Sequence, residues 1–86
     1  MEEFAAAIRK FIVEEIMFEK DESLLQFDDE LLDTGVLDSM TILQLVVFLE
    51  KEVHISIPNH ELVPDNFQTI QSIARLASEK SSKAGV

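Results

Sequence analysis

Between Glu2 and Phe18, the apolar residues Phe4, Ile8, Phe11, Ile12 and Ile16 recur at helical spacing, while Arg9, Lys10, Glu14 and Glu15 fall on the side left for water. The pattern predicts a first amphipathic helix from Glu2 to about Phe18. A second is predicted from Met40 to Val53, a stretch without Pro or Gly in which Ile42, Leu45, Val46, Leu49 and Val53 form a core stripe. Thr69 is a candidate cap for a last helix, whose stripe is Ile70, Ile73, Ala74 and Ala77, with Phe67 placed to pack back on it. Between the second and last helices Pro58 interrupts the chain, Asn59 can cap a short helical segment through Leu62, and Pro64 ends it.

The stretch from Glu19 to Asp38 lacks this periodicity, and a connection of roughly twenty residues is long for a compact domain. Its hydrophobic residues Leu24, Leu25, Phe27, Leu31, Leu32 and Leu37 predict a loop packed over the helices, with a turn at Asp33-Thr34-Gly35. The expected architecture is an all-α, four-helix bundle of three major helices and one short one with a long first loop. Residues 1–78 form its single domain. Residues 79–86 lack a core-facing pattern and are expected to be a flexible tail.

Composition narrows the function. Eighty-six residues leave no room for a second, catalytic domain. No apolar run approaches the ~20 residues that span a bilayer, and Met1-Glu2-Glu3 begins no basic signal region, so a cytoplasmic monomer is expected. The formal net charge of -10 disfavours nucleic acid and favours partners with basic surfaces. The acidity is uneven: from Glu19 to Asp38 eight acids stand against one base, Lys20. With no cysteine in the chain, any thiol chemistry must come from an attached group.

Two features exceed what a core requires. Met40, Leu43 and Val47 lie on a face of the second helix offset from its core stripe, which fits either a helix buried on two sides or a strip for docking a partner. Ser39 stands at the predicted start of that helix, where it is either an ordinary N-cap or a hydroxyl sited for a phosphate, which a helix N-terminus favours. No internal catalytic set is evident. His54 and His60 read as surface or loop histidines. Asp28, Asp29, Glu30 and Asp33 lack the calcium-loop pattern and read as a solvated acidic loop, so no metal site is assigned.

Gly35-Val36-Leu37-Asp38-Ser39-Met40 resembles the signature G-x-(L/D)-D-S-(L/M/F) of acyl, peptidyl and D-alanyl carrier proteins. Leu45 to Val53 followed by Ile55-Ser56-Ile57-Pro58, and Phe67-Gln68-Thr69-Ile70 before the last helix, are similar to the family's downstream pattern, so the resemblance spans Phe4 to about Ala77. It implies that Ser39 receives 4'-phosphopantetheine from coenzyme A through a phosphopantetheinyl transferase. Asp38 would assist that enzyme near its divalent metal, and Met40, Leu43 and Val47 would belong to the surface read by partners. The protein would then be no enzyme but a substrate for an acyl- or aminoacyl-loading enzyme and a downstream synthase or transferase, presenting cargo as a thioester at high effective concentration. The cofactor would supply the thiol that the chain lacks.

The kind of carrier is narrowed by departures. Fatty-acid carriers typically place acids at the second and fifth positions after the serine, where this chain has Thr41 and Gln44. Phe48 fills a position often small in that group, which would close a lipid cavity. The helix from Gln44 and the approach from Pro64 to Ile70 look most like stand-alone carriers of polyketide and nonribosomal peptide pathways, and that is the expected setting. D-alanyl carriers are also similar around Leu37-Asp38-Ser39, and a D-alanyl or fatty-acid carrier is the alternative. A helical interaction module with Ser39 as a cap is the non-carrier reading.

Overall fold

The computed structural model of the protein describes residues 2–84, with side chains from residue 3 to residue 81. Three α-helices carry the fold: α1 (Glu2–Phe11), α2 (Ser39–Glu52) and α3 (Ile70–Ala84). No strand occurs among the described residues. The short fourth helix is replaced by two 3-10 turns, Asn59–Glu61 and Pro64–Phe67. Pro64 therefore starts a turn, where its missing N–H is no loss, instead of ending one.

The first helix is longer than α1. After Phe11 the chain widens into a π-helical turn over Ile12–Ile16. The wider turn rotates the stripe, and Val13 joins Ile8 and Ile12 in full burial while Phe4, Phe11 and Ile16 are half-buried. Arg9 was expected to face water and instead lies under the first loop. Its guanidinium sits 4.6 Å from the centre of the Phe27 ring, and its Nε is 3.7 Å from Glu22 Oε1.

That loop packs as predicted in outline. Leu25, Leu31 and Leu37 are buried, Phe27 and Leu32 are half-buried, and Leu24 alone of the six stands out in solvent. Backbone hydrogen bonds stitch it to the approach to α3 and to its first turn, with Leu31 N–H donating to Gln68 O at 2.7 Å and Gln71 N–H to Phe27 O at 3.2 Å. The turn at Asp33-Thr34-Gly35 closes through Gly35 N–H to Leu32 O, 3.1 Å. Gly35 takes a φ of +80° there, and an added Cβ would meet nothing within 4 Å, so the need for glycine is conformational.

α3 packs along α1 and contributes Ile70, Ile73, Ala74, Leu76 and Ala77 to the core, with Phe67 fully buried beneath it. Thr69 caps it, accepting from Ser72 N–H at 3.1 Å. The helix does not stop where its apolar stripe does: it runs on to Ala84, and Lys80 pairs with Glu61. Gly85 and Val86, the end of the expected tail, lie outside the described residues.

Candidate functional site

Leu37 is the last core residue of the loop, held by its N–H to Leu31 O at 2.9 Å, and it delivers the next two residues to the start of α2. Asp38 is the N-cap. Its Oδ1 accepts from Thr41 N–H at 2.9 Å, and its own N–H donates to Thr41 Oγ1 at 2.7 Å, which completes a reciprocal capping box. The Thr41 N–H and then the Thr41 hydroxyl, 3.0 Å from Oδ1, hold the Asp38 carboxyl below its ordinary range.

The consequence for Ser39 is that it does not cap the helix. It is the first helical residue, it is exposed, and its hydroxyl makes no hydrogen bond among the described residues. The sequence left two roles open for this serine, and the cap has gone to its neighbour. Thr41 was noted in the sequence only for lacking an acid, yet it is half of the device that frees Ser39. Its signal was there as D-x-x-T, a capping box with the hydroxyl in the third position.

The same helix shows which of its faces is core. Leu45, Val46 and Leu49 are buried and Ile42 and Val53 are half-buried, whereas Met40, Leu43 and Val47 are 71%, 56% and 49% exposed. The offset strip is thus an open apolar face running away from Ser39. On another side of α2 the half-buried Phe48 stacks on Phe11 of α1, with ring centres 4.4 Å apart and planes at 24°. Glu50 is not a free surface charge, because its Oε2 accepts from Ile57 N–H at 3.4 Å.

His54 and His60 are both exposed and away from this arrangement. Asp33 raises the Glu30 carboxyl above its ordinary range, first by offering a hydrogen-bond acceptor to its protonated form and then by its negative charge. Among the described residues no three His, Asp or Glu side chains gather so as to hold a metal ion, and no helix is long and apolar enough to cross a membrane.

Residues 6–77 match the family model described as the phosphopantetheine attachment site. The D-alanyl carrier protein of Streptococcus sanguinis (strain SK36) is 35% identical over 68 residues, covering 79% of this chain and 84% of the relative. That of Streptococcus suis (strain 05ZYH33) is 36% identical over 62 residues, covering 72% and 76%. Among solved structures, a chain from the Bradyrhizobium japonicum glycine:[carrier protein] ligase complexed with glycylated carrier protein matches with a TM-score of 0.62 and 26% identity, over 86% of this chain and 93% of that one. A chain from a crystal structure of an FAD-dependent dehydrogenase matches with a TM-score of 0.71 and 28% identity, over 80% and 96%. The chain belongs to the acyl and peptidyl carrier protein family, whose phosphopantetheine-binding domain carries 4'-phosphopantetheine covalently.

Proposed function

We propose that Ser39 is the attachment residue and that the protein carries a small aminoacyl group. The observation that carries the assignment is the exposed, unbonded Ser39 hydroxyl at the first position of α2, beside a cap supplied by Asp38. These residues fit the cofactor. A hydroxyl with no internal partner loses nothing when it enters a phosphodiester, and the N-terminus of a helix of 14 residues favours the negative charge that results. Attachment transfers the phosphopantetheinyl group of coenzyme A to Ser39 Oγ, with adenosine bisphosphate leaving and the hydroxyl proton passing to solvent. When bound, the group supplies the thiol on which cargo is held as a thioester.

The polyketide and nonribosomal peptide setting expected from the helix sequences gives way to the alternative. The D-alanyl carrier relatives and the glycylated carrier both support cargo on the scale of alanine or glycine. Phe48 against Phe11 supports the same reading, because two stacked rings occupy space that a lipid would need. Met40, Leu43 and Val47 are assigned to partner contact, and Asp38, exposed and ionised, to assisting the transferase. The test is to incubate wild type and Ser39→Ala with coenzyme A, magnesium and a broad phosphopantetheinyl transferase, and to weigh both. Wild type gains one phosphopantetheinyl group and Ser39→Ala none. A modified Ser39→Ala, or a wild type left unmodified where a control carrier is modified, defeats the assignment.

A further inference from the structure

At the exit from the first helix two local preferences are broken at one residue. Phe18 has a φ of +57°, in the left-handed region where a bulky L side chain is a true outlier. Its side chain is also 82% exposed, more than any other large hydrophobic described. His54, with a φ of +60°, is the other non-glycine residue there among the described residues, but histidine visits this region more readily and its polar ring belongs in water. The hydrogen bonds explain the backbone and not the ring. Met17 N–H donates to Ile12 O at 2.9 Å and Glu19 N–H to Val13 O at 2.8 Å, which closes the π-helical turn and leaves position 18 as the left-handed residue between them. Glycine or asparagine would serve that geometry better and would expose no ring.

The chain next to Phe18 meets the segment that leads to Ser39. Met17 lines a groove with Thr34 and Val36, and Val36 is three residues from Ser39, a span of at most about 10 Å of backbone. The surroundings of Phe18 are mainly acidic: Glu14 and Glu19 flank a shallow cleft with it, against the single base Lys20. The feature is an exposed aromatic ring with acids beside it, at a helix end closed by backbone hydrogen bonds.

We infer that Phe18 anchors the phosphopantetheinyl transferase, entering an apolar pocket on that enzyme whose rim is basic. The inference rests on Ser39 being the attachment residue. Of the enzymes that act on a carrier, the transferase must bring its own active site to the serine hydroxyl, so contact with the carrier around Ser39 is unavoidable. Enzymes that act at the far thiol are reached by the arm and can dock elsewhere. The acids beside Phe18 match a basic rim and disfavour an acidic one.

The experiment measures initial rates of modification against apo-carrier concentration for wild type, Phe18→Gly, Phe18→Asn and Phe18→Tyr, with coenzyme A, magnesium and a transferase that modifies wild type. Melting temperatures are recorded alongside. Phe18→Gly melts above wild type, yet its KM rises about tenfold with kcat little changed, as the loss of an aromatic anchor predicts. Phe18→Asn follows it in KM, and Phe18→Tyr stays near wild type. KM values for Phe18→Gly and Phe18→Asn within about twofold of wild type, where tenfold is the expected loss, overturn the proposal. So does melting of both below wild type, which would make Phe18 a structural residue. Ser39→Ala in the same series separates the failures: phosphopantetheine on that variant defeats the site assignment, whereas unchanged KM values defeat the anchor alone.

Discussion

Asp38 and Glu30 are carboxylates eight positions apart in sequence, and they respond to acid in opposite senses. The Thr41 N–H and hydroxyl favour the charged form of Asp38, so in the folded protein it titrates below its ordinary 3.8. Its contribution to stability is complete above that value and is lost as pH falls through the lower folded one. Glu30 is raised above its ordinary 4.5 by Asp33, so the folded state carries a penalty at neutral pH that is relieved as pH falls through the raised value. Asp38→Asn keeps a capping oxygen while removing the charge, and is expected to flatten the acid limb of a plot of melting temperature against pH. Glu30→Gln is expected to raise the melting temperature near neutral pH and to do little below about pH 4, where carboxyls are largely protonated. A loss of stability on acidification unchanged by Asp38→Asn would show that the cap does not depend on charge. Thr41→Val removes the hydroxyl half of the box and should cost about 1 kcal/mol in urea denaturation.

At the scale of elements, the long loop behaves as part of the core. Leu31→Ala is expected to cost about 3 kcal/mol of unfolding free energy, and Leu24→Ala, on the same loop, less than about 0.5 kcal/mol. Equal effects from the two would mean that the loop is not packed in solution. The sequence made the helices legible because periodicity reports a face, and Ile8, Ile12, Leu45, Leu49, Ile70 and Ile73 are where their spacing puts them. It failed where the period itself changes. Val13 was assigned to no face because a π-helical turn cannot be seen in a 3.6-residue pattern. Arg9 was sent to solvent because only the folded loop brings Phe27 and Glu22 to it. Ser39 was legible as a position and ambiguous as a role, since a serine before a helix is a good cap and only coordinates show that Asp38 has taken the task. The strip on α2 was likewise one of two readings until exposure separated Met40, Leu43 and Val47 from the core. Leu43→Ala should weaken binding of a loading enzyme by about 1 to 3 kcal/mol, and Glu52→Gln, an exposed charge on the same helix, by ~0.5 kcal/mol. Glu50 would be a poor control, because its bond to Ile57 N–H ties down the chain beyond α2. A larger loss for Glu52→Gln than for Leu43→Ala would make recognition electrostatic.

The whole molecule is elongated, 36 × 23 × 20 Å, and carries ten net negative charges. A field of that size speeds encounter with basic partners and weakens as salt screens it, while on the docking role proposed for Met40, Leu43 and Val47 apolar contact would set how long a complex lasts. Nothing in this division of labour requires the carrier to enclose what it carries. If acyl groups of increasing length are loaded on the thiol of the phosphopantetheine arm, the melting temperature should stay flat, because the stacked rings of Phe11 and Phe48 take up space between α1 and α2. A progressive rise with chain length would reveal a cavity that the stack does not close. The stacked rings also set a clock. A carrier that swallows its cargo can wait for its next enzyme, whereas one that holds the small cargo proposed here outside its core would leave each thioester in open water, perishing at the rate of any small thioester. Such a protein cannot serve as a store: its cargo must be collected as fast as it is loaded, and the traffic through the arm, not the affinity of the carrier, decides how much of it arrives.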